Sequence, residues 1–183
     1  MVGDAEIERA RTGADPAPTV VVHTFAHAIG ALRAAAGAGR PIVIASAPEA
    51  GVYAGPGWFR ALVAAAREAV PEAQFSAVLD CGGEPGAALA AIRAGIEIVL
   101  FTGRADVARR LADIASQHGV RLDTIRSAAA LDLDADFFAS EDRIGQRCAE
   151  LLSRADVRLA PAPANDGGSG DRPACRRQEG WRG

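Results

Sequence analysis

Asp80 and Cys81 are the residues of this sequence whose types and position best suit chemistry. Asp80 ends the apolar run FSAVLD, Cys81 follows it, and two glycines come next. A carboxylate can transfer protons, and a thiolate can act as a nucleophile or bind a metal. Parallel sheets place such groups at the carboxyl ends of strands. The alternative is structural: Asp80 caps the following turn, and Cys81 is a small buried apolar residue.

Histidines supply the other candidate ligands or bases. His23 and His27 are four residues apart, but His23 is expected to end a strand, with Thr24 capping the next helix. The carboxyl ends of parallel strands lie at the same edge of a sheet. A composite site of His23, Cys81 and Asp80 is therefore one hypothesis, with His23 and Cys81 as metal ligands. The alternative is that His23 has a structural role.

Two segments could bind an anion. The glycine-rich stretch GVYAGPGW contains Tyr53 and Gly55 and opens a helix, and a helix N-terminus favours an anion. Arg104 follows a predicted strand and could bind a phosphate or a carboxylate. A structural turn and a solvated arginine are the alternatives for these two features.

Strand and helix patterns alternate along the middle of the chain. The predicted strands are TVVVHT, PIVIASA, FSAVLD, EIVLFTG and VRLDTI, and helical segments separate them. A last helix is expected over EDRIGQRCAELLSRA. Continuous apolar strands with helical crossovers are typical of a parallel sheet covered on both faces. The fold class is therefore α/β with about five parallel βα units, either half-TIM-barrel-like or an open three-layer sheet.

Composition restricts the class of protein. The 183-residue chain has a net charge of −3, 5% aromatic residues and no lysine. Schiff-base and P-loop chemistry are thus excluded, and nothing favours nucleic-acid binding. No stretch is long and apolar enough for a membrane span, and the first residues do not resemble a signal peptide, so a cytoplasmic location is expected. We expect a flexible lead over 1–18, an α/β domain over 19–159 and a disordered tail over 160–183.

A family resemblance rests on motifs in the first half of this domain. Residues 20–120 resemble the first half of the class II, zinc-dependent fructose- and tagatose-bisphosphate aldolases, which are TIM barrels. The matching motifs are Ser46-Ala47-Pro48, Tyr53-Ala54-Gly55, Leu79-Asp80-Cys81-Gly82 and Ala94-Gly95.

The resemblance implies roles for several residues. Asp80 takes the place of the acid/base, and Cys81 takes that of a zinc-binding histidine. Thr102 stands where the family has an acid in the next strand. Ser46, Tyr53, Gly55, Thr102 and Arg104 form the expected ligand-binding set, to which Arg104 belongs by its position after the fourth predicted strand. The later histidines and phosphate-binding loops belong to the second half of the barrel, which this sequence does not include.

The function expected from these residues is that of a truncated aldolase-like protein. It would lack aldolase activity and bind a small phosphorylated or carboxylated ligand, or a protein partner. The alternative is a metal-dependent aldolase or lyase that uses Asp80 as acid/base, with zinc held by Cys81 and His23. No cofactor is certain, and zinc is the possible one. A half barrel would leave sheet edges open, so self-association into a homo-oligomer is also expected.

Overall fold

A single parallel sheet organises the protein, for which a computed structural model describes residues 17–159. Its six strands follow the order β5-β4-β3-β2-β1-β6, and every neighbouring pair is parallel. The strands are β1 (Thr19–Val22), β2 (Ile42–Ser46), β3 (Phe75–Asp80), β4 (Ile98–Leu100), β5 (Arg121–Asp123) and β6 (Leu131–Asp132).

Helices connect β1 to β5 in turn, and one further helix follows β6. They are α1 (Phe25–Ala38), α2 (Ala50–Tyr53), α3 (Gly55–Ala69), α4 (Pro85–Arg93), α5 (Ala105–Gln117) and α6 (Glu141–Leu159), with a 3-10 turn at Asp134–Asp136. Local signals explain several boundaries. The Thr24 hydroxyl accepts a hydrogen bond from His27 N, as expected of an N-cap, and α1 ends at Gly39, whose φ of 62° suits glycine.

The two faces of the sheet differ. Strand residues of one parity, such as Val20, Ile44 and Leu79, are buried against the helices in two adjoining apolar clusters. Residues of the other parity, such as Val21 and Val78, line a cavity instead. Within residues 17–159 the helices therefore cover one face of the sheet. This corrects the expectation that both faces would be covered.

The strand order explains this one-sided arrangement. Each of β1 to β4 pairs with the next strand in the sequence. Successive right-handed crossovers in one direction place all of their helices on the same side, as in a βα barrel. The α/β class with parallel βα units is confirmed, and the positions of the helices correspond to the half-barrel form. Strand β6, which pairs with β1, was not predicted.

The predicted lead over 1–18 and the predicted tail over 160–183 lie outside the described residues, except for residues 17 and 18. The domain boundaries thus stay predictions. Among the described residues, no helix has the length and apolar character needed to cross a membrane.

Helices α1 and α6 approach closely through a glycine. A Cβ placed on Gly30 would lie 2.8 Å from Ile144 Cγ2 and 3.0 Å from the backbone oxygen of Glu141. Neither atom belongs to the free end of a flexible side chain, so the helices would have to separate. Gly30 thus allows α6 to cover the β1 side of the sheet.

Gly30→Ala is expected to destabilise the protein, since overpacking a tight contact costs about 1–3 kcal/mol. The matched control is Gly37→Ala in the same helix, where a Cβ would meet nothing within 4 Å. Alanine there should stabilise by about 0.5–1 kcal/mol through helix propensity. Urea denaturation of both variants measures the difference. A Gly30→Ala variant as stable as Gly37→Ala would contradict the close packing.

Candidate functional site

Asp80 ends β3 as a buried carboxylate with several protein partners. Its Oδ1 accepts hydrogen bonds from Gly82 N at 2.8 Å and from Glu49 N at 3.2 Å. Its backbone N–H donates to Ser46 Oγ at 2.9 Å. Asp80 is therefore hydrogen-bonded to the end of β2, to the turn after β2 and to the turn that follows β3.

Arg126 completes the environment of Asp80. Its Nε and Nη2 each lie 2.7 Å from Asp80 Oδ2. The Asp80 side chain is 5% exposed, whereas that of Arg126 is 50% exposed. The buried carboxylate thus fixes one edge of a guanidinium that otherwise faces the solvent. The Nε–H donates a hydrogen bond to Asp80 and Nη2 makes an ion-pair contact with it, and none of the described residues takes the other N–H donors.

The turns around Asp80 have unusual backbone conformations. Glu49 adopts a φ of 60°, the one positive φ among the described non-glycine residues. Such a conformation costs on the order of 1–3 kcal/mol unless its surroundings hold it. Gly82 has a φ of 55°, and a Cβ there would lie 2.7 Å from Glu49 Cγ. The bonds from Glu49 N and Gly82 N to Asp80 stabilise both turns.

Cys81 lies directly beside this carboxylate but is inaccessible. Its side chain is fully buried, and a Cβ on Gly51 would come 2.5 Å from its Sγ. Burial raises the pKa of the Cys81 thiol to about 12, and the negative charge of Asp80 acts in the same direction. The thiol therefore stays protonated at neutral pH and is a poor nucleophile.

His23 has a different neighbourhood. Its Nε2 lies 2.7 Å from Asp132 Oδ1 in β6, and its Nδ1 lies 4.0 Å from Asp134 Oδ1. His27 is buried next to it and accepts a hydrogen bond from His23 N at Nδ1. Burial lowers the pKa of His27, and the nearby His23 lowers it further.

These side chains do not fit a zinc site. Among residues 17–159, no three His, Cys, Asp or Glu side chains form a group that could hold a metal ion. The Cys81 thiol is buried and protonated, and His23 already contacts Asp132. We therefore derive no reaction step through a metal.

Of the five predicted ligand-binding residues, Ser46 is the one that lines the cavity. Ser46 is buried and lines the cavity beside Asp80. Tyr53 is 69% exposed. Partial burial raises the pKa of Tyr53, and the negative charges of Asp80 and Glu49 raise it further. Gly55 opens α3 with a φ of 80°.

Thr102 and Arg104 are exposed and do not line this cavity. The backbone N–H of Thr102 donates to the Gly82 oxygen at 2.8 Å. The Arg104 side chain instead forms a forked pair with Asp106, at 3.0 and 3.1 Å.

The inner cavity lies on the face of the sheet opposite the helices. Its volume is about 810 Å³, within the range of small-molecule sites. Apolar strand residues such as Val43, Val78 and Leu100 form much of its wall, and segment 125–130 contributes to the lining. Its ionisable lining residues are Asp80, Arg121, Asp123, Arg126 and Asp132.

Arg126 was not singled out from the sequence. It lies in an exposed segment between β5 and β6, without a glycine motif or an apolar repeat to mark it. Asp132 was visible only as part of the acidic run LDLDADFFASED. Recognising β6 as the neighbour of β1 would have placed Asp132 beside His23.

Comparison with known proteins supports the fold. No family model and no curated protein matches the sequence. One similar solved structure is a Coccidioides immitis protein assigned as a fructose-1,6-biphosphate aldolase, with 19% identity and a TM-score of 0.51. The match covers 64% of this chain and 42% of that one.

A second similar structure is a Sinorhizobium meliloti 1021 protein assigned as a tagatose 6 phosphate kinase. It has 16% identity and a TM-score of 0.45, over 78% of this chain and 46% of that one. The chain spans less than half the length of either structure. The fold is thus similar to part of an aldolase, and the likeness extends to the fold alone.

Proposed function

We propose that this protein is a ligand-binding module on an aldolase-like half barrel, without aldolase activity. Its ligand is a small molecule with a carboxylate or phosphate group, bound in the inner cavity. The observation that carries the proposal is the guanidinium of Arg126. It is half exposed in the cavity, it retains unused N–H donors, and the buried Asp80 orients it.

A guanidinium held in this way is suited to an anion. Arginine presents a planar set of donors that matches the oxygens of carboxylates and phosphates. Fixing one edge on Asp80 lowers the entropy that Arg126 loses when a ligand binds. The apolar strand residues around it would contact the rest of a small molecule.

The same contacts argue against proton transfer by Asp80. A general acid/base has to reach the reacting group of its substrate. Both oxygens of Asp80 instead accept hydrogen bonds from the protein, and the side chain is nearly inaccessible. Asp80 is therefore a positioning residue, and a step that uses it as acid/base would require breaking its bonds to Arg126.

Arg126→Gln should abolish anion binding. We would measure thermal unfolding in acetate, malonate, citrate and inorganic phosphate. A ligand at one hundred times its Kd stabilises the folded state by about 2.7 kcal/mol. For a chain of this size, that corresponds to a rise in Tm of roughly 5–10 °C.

The matched control is Arg104→Gln, which removes an exposed arginine paired with Asp106 outside the cavity. This variant should keep the ligand-dependent rise in Tm. An equal rise in Arg126→Gln, or no rise with any anion in the unmodified protein, would refute the proposal. The self-association expected from the sequence stays a prediction, to be tested by sedimentation at micromolar concentrations.

A further inference from the structure

The charged residues of the inner cavity indicate which class of ligand it can bind. Arg126 is paired with Asp80, and Arg121 forms a forked pair with Asp123 at 2.8 and 2.7 Å. Both guanidiniums that line the cavity are therefore already neutralised by a carboxylate. A ligand would not find an excess of positive charge there.

Asp132 is the lining carboxylate without an arginine partner. Its Oδ1 lies 2.7 Å from His23 Nε2 and accepts a hydrogen bond from Asp134 N at 3.0 Å. None of the described residues bonds to its Oδ2, and the side chain is 48% exposed. Asp132 Oδ2 is thus available to accept a bond from a ligand.

We propose that the ligand of this cavity is a zwitterion, a small amino carboxylate whose carboxylate binds Arg126 and whose ammonium group binds Asp132. This inference rests on the proposed function and specifies its ligand class. The ionisable lining consists of two arginines and three aspartates, so its formal charge is negative. A dianionic phosphate would add two negative charges close to Asp80, whereas a zwitterion adds no net charge and pairs with both available groups.

Matched compounds test the proposal by isothermal titration. The amino carboxylates are glycine, β-alanine, 4-aminobutyrate and 5-aminovalerate. Their counterparts without the amine are acetate, propionate, butyrate and valerate, and inorganic phosphate is added for comparison. Because both protein groups line the same cavity, one chain length should span them best and bind about tenfold or more tightly than its counterpart and than phosphate.

Asp132→Asn should reduce that advantage to nearly nothing while carboxylate binding persists. Asparagine keeps an oxygen for His23 and Asp134 N, so the variant should fold, and its Tm verifies this. Asp106→Asn, whose side chain pairs with Arg104 outside the cavity, is the control and should bind like the unmodified protein.

The two proposals fail differently. If amino carboxylates and plain carboxylates bind equally and this binding depends on Arg126, the zwitterion proposal is refuted and the proposed function is retained. Tighter binding of phosphate, or an unchanged advantage in Asp132→Asn, also overturns it. No binding of any compound to the unmodified protein overturns both.

Discussion

Replacing Asp80 with alanine is expected to lower the free energy of unfolding by about 3 kcal/mol. The variant leaves the buried N–H of Gly82 and the part-buried N–H of Glu49 without their acceptor, and an unsatisfied buried donor costs about 1–3 kcal/mol. It also removes the hydrogen bond that holds Glu49 in its left-handed conformation, and it removes the partner of Arg126. The Arg126 contribution is small, because that side chain is half exposed and can be solvated.

Urea denaturation at neutral pH measures this loss. The control is Asp106→Ala, which removes an exposed carboxylate paired with Arg104 and should change stability by no more than about 0.5 kcal/mol. A change below about 1 kcal/mol for Asp80→Ala would mean that the carboxylate does not hold the turns together. The structural role of Asp80 would then have to be abandoned.

Alkaline pH is expected to destabilise the protein through its buried thiols. Burial raises the pKa of Cys81 to about 12 and that of Cys148 to about 11. An unfolded cysteine ionises near a pKa of about 8.5. Above that pH the unfolded chain releases protons that the folded protein retains. The stabilisation is therefore complete below about pH 8.5 and is lost as the pH rises towards the folded values.

Each thiol contributes a slope of up to about 1.4 kcal/mol per pH unit, so the two together should remove about 4 kcal/mol by pH 10. Urea denaturation under reducing conditions at pH 8, 9 and 10 measures the slope. A variant carrying both Cys81→Ala and Cys148→Ala should lose most of it, whatever its stability at pH 8. Constant stability in the unmodified protein, or an unchanged slope in the double variant, would contradict the prediction.

The sequence allowed the central part of the site to be predicted, because the ends of neighbouring parallel strands meet. Ser46 and Asp80 each end an apolar strand, and the structure joins them by a hydrogen bond. Apolar runs, caps and glycines likewise located five strands and the helices between them. Strand β6 escaped prediction because its two residues carry no periodic pattern of their own.

Other features depend on long-range packing. Arg126 reaches Asp80 from 46 residues away, and no local signal specifies where an exposed connecting segment lies. The coverage of the sheet by helices on one side depends on the direction in which successive strands are added, which periodicity does not encode. Cys81 and His23 are close to strand ends in the sequence, yet Cys81 packs beneath a glycine and His23 turns towards β6. The direction of each side chain determines which residues share a site, and adjacency in the sequence does not specify that direction.

The central claim is that Arg126 binds the anionic group of a small ligand in the inner cavity. Nuclear magnetic resonance of the arginine Nε–H groups tests it most directly, since the Arg126 signal can be assigned by its loss in Arg126→Gln. On titration with malonate or 4-aminobutyrate, we predict that this signal shifts and saturates while that of Arg104 stays unchanged. Ligand binding that leaves the Arg126 signal in place, or shifts the Arg104 signal equally, would contradict the claim.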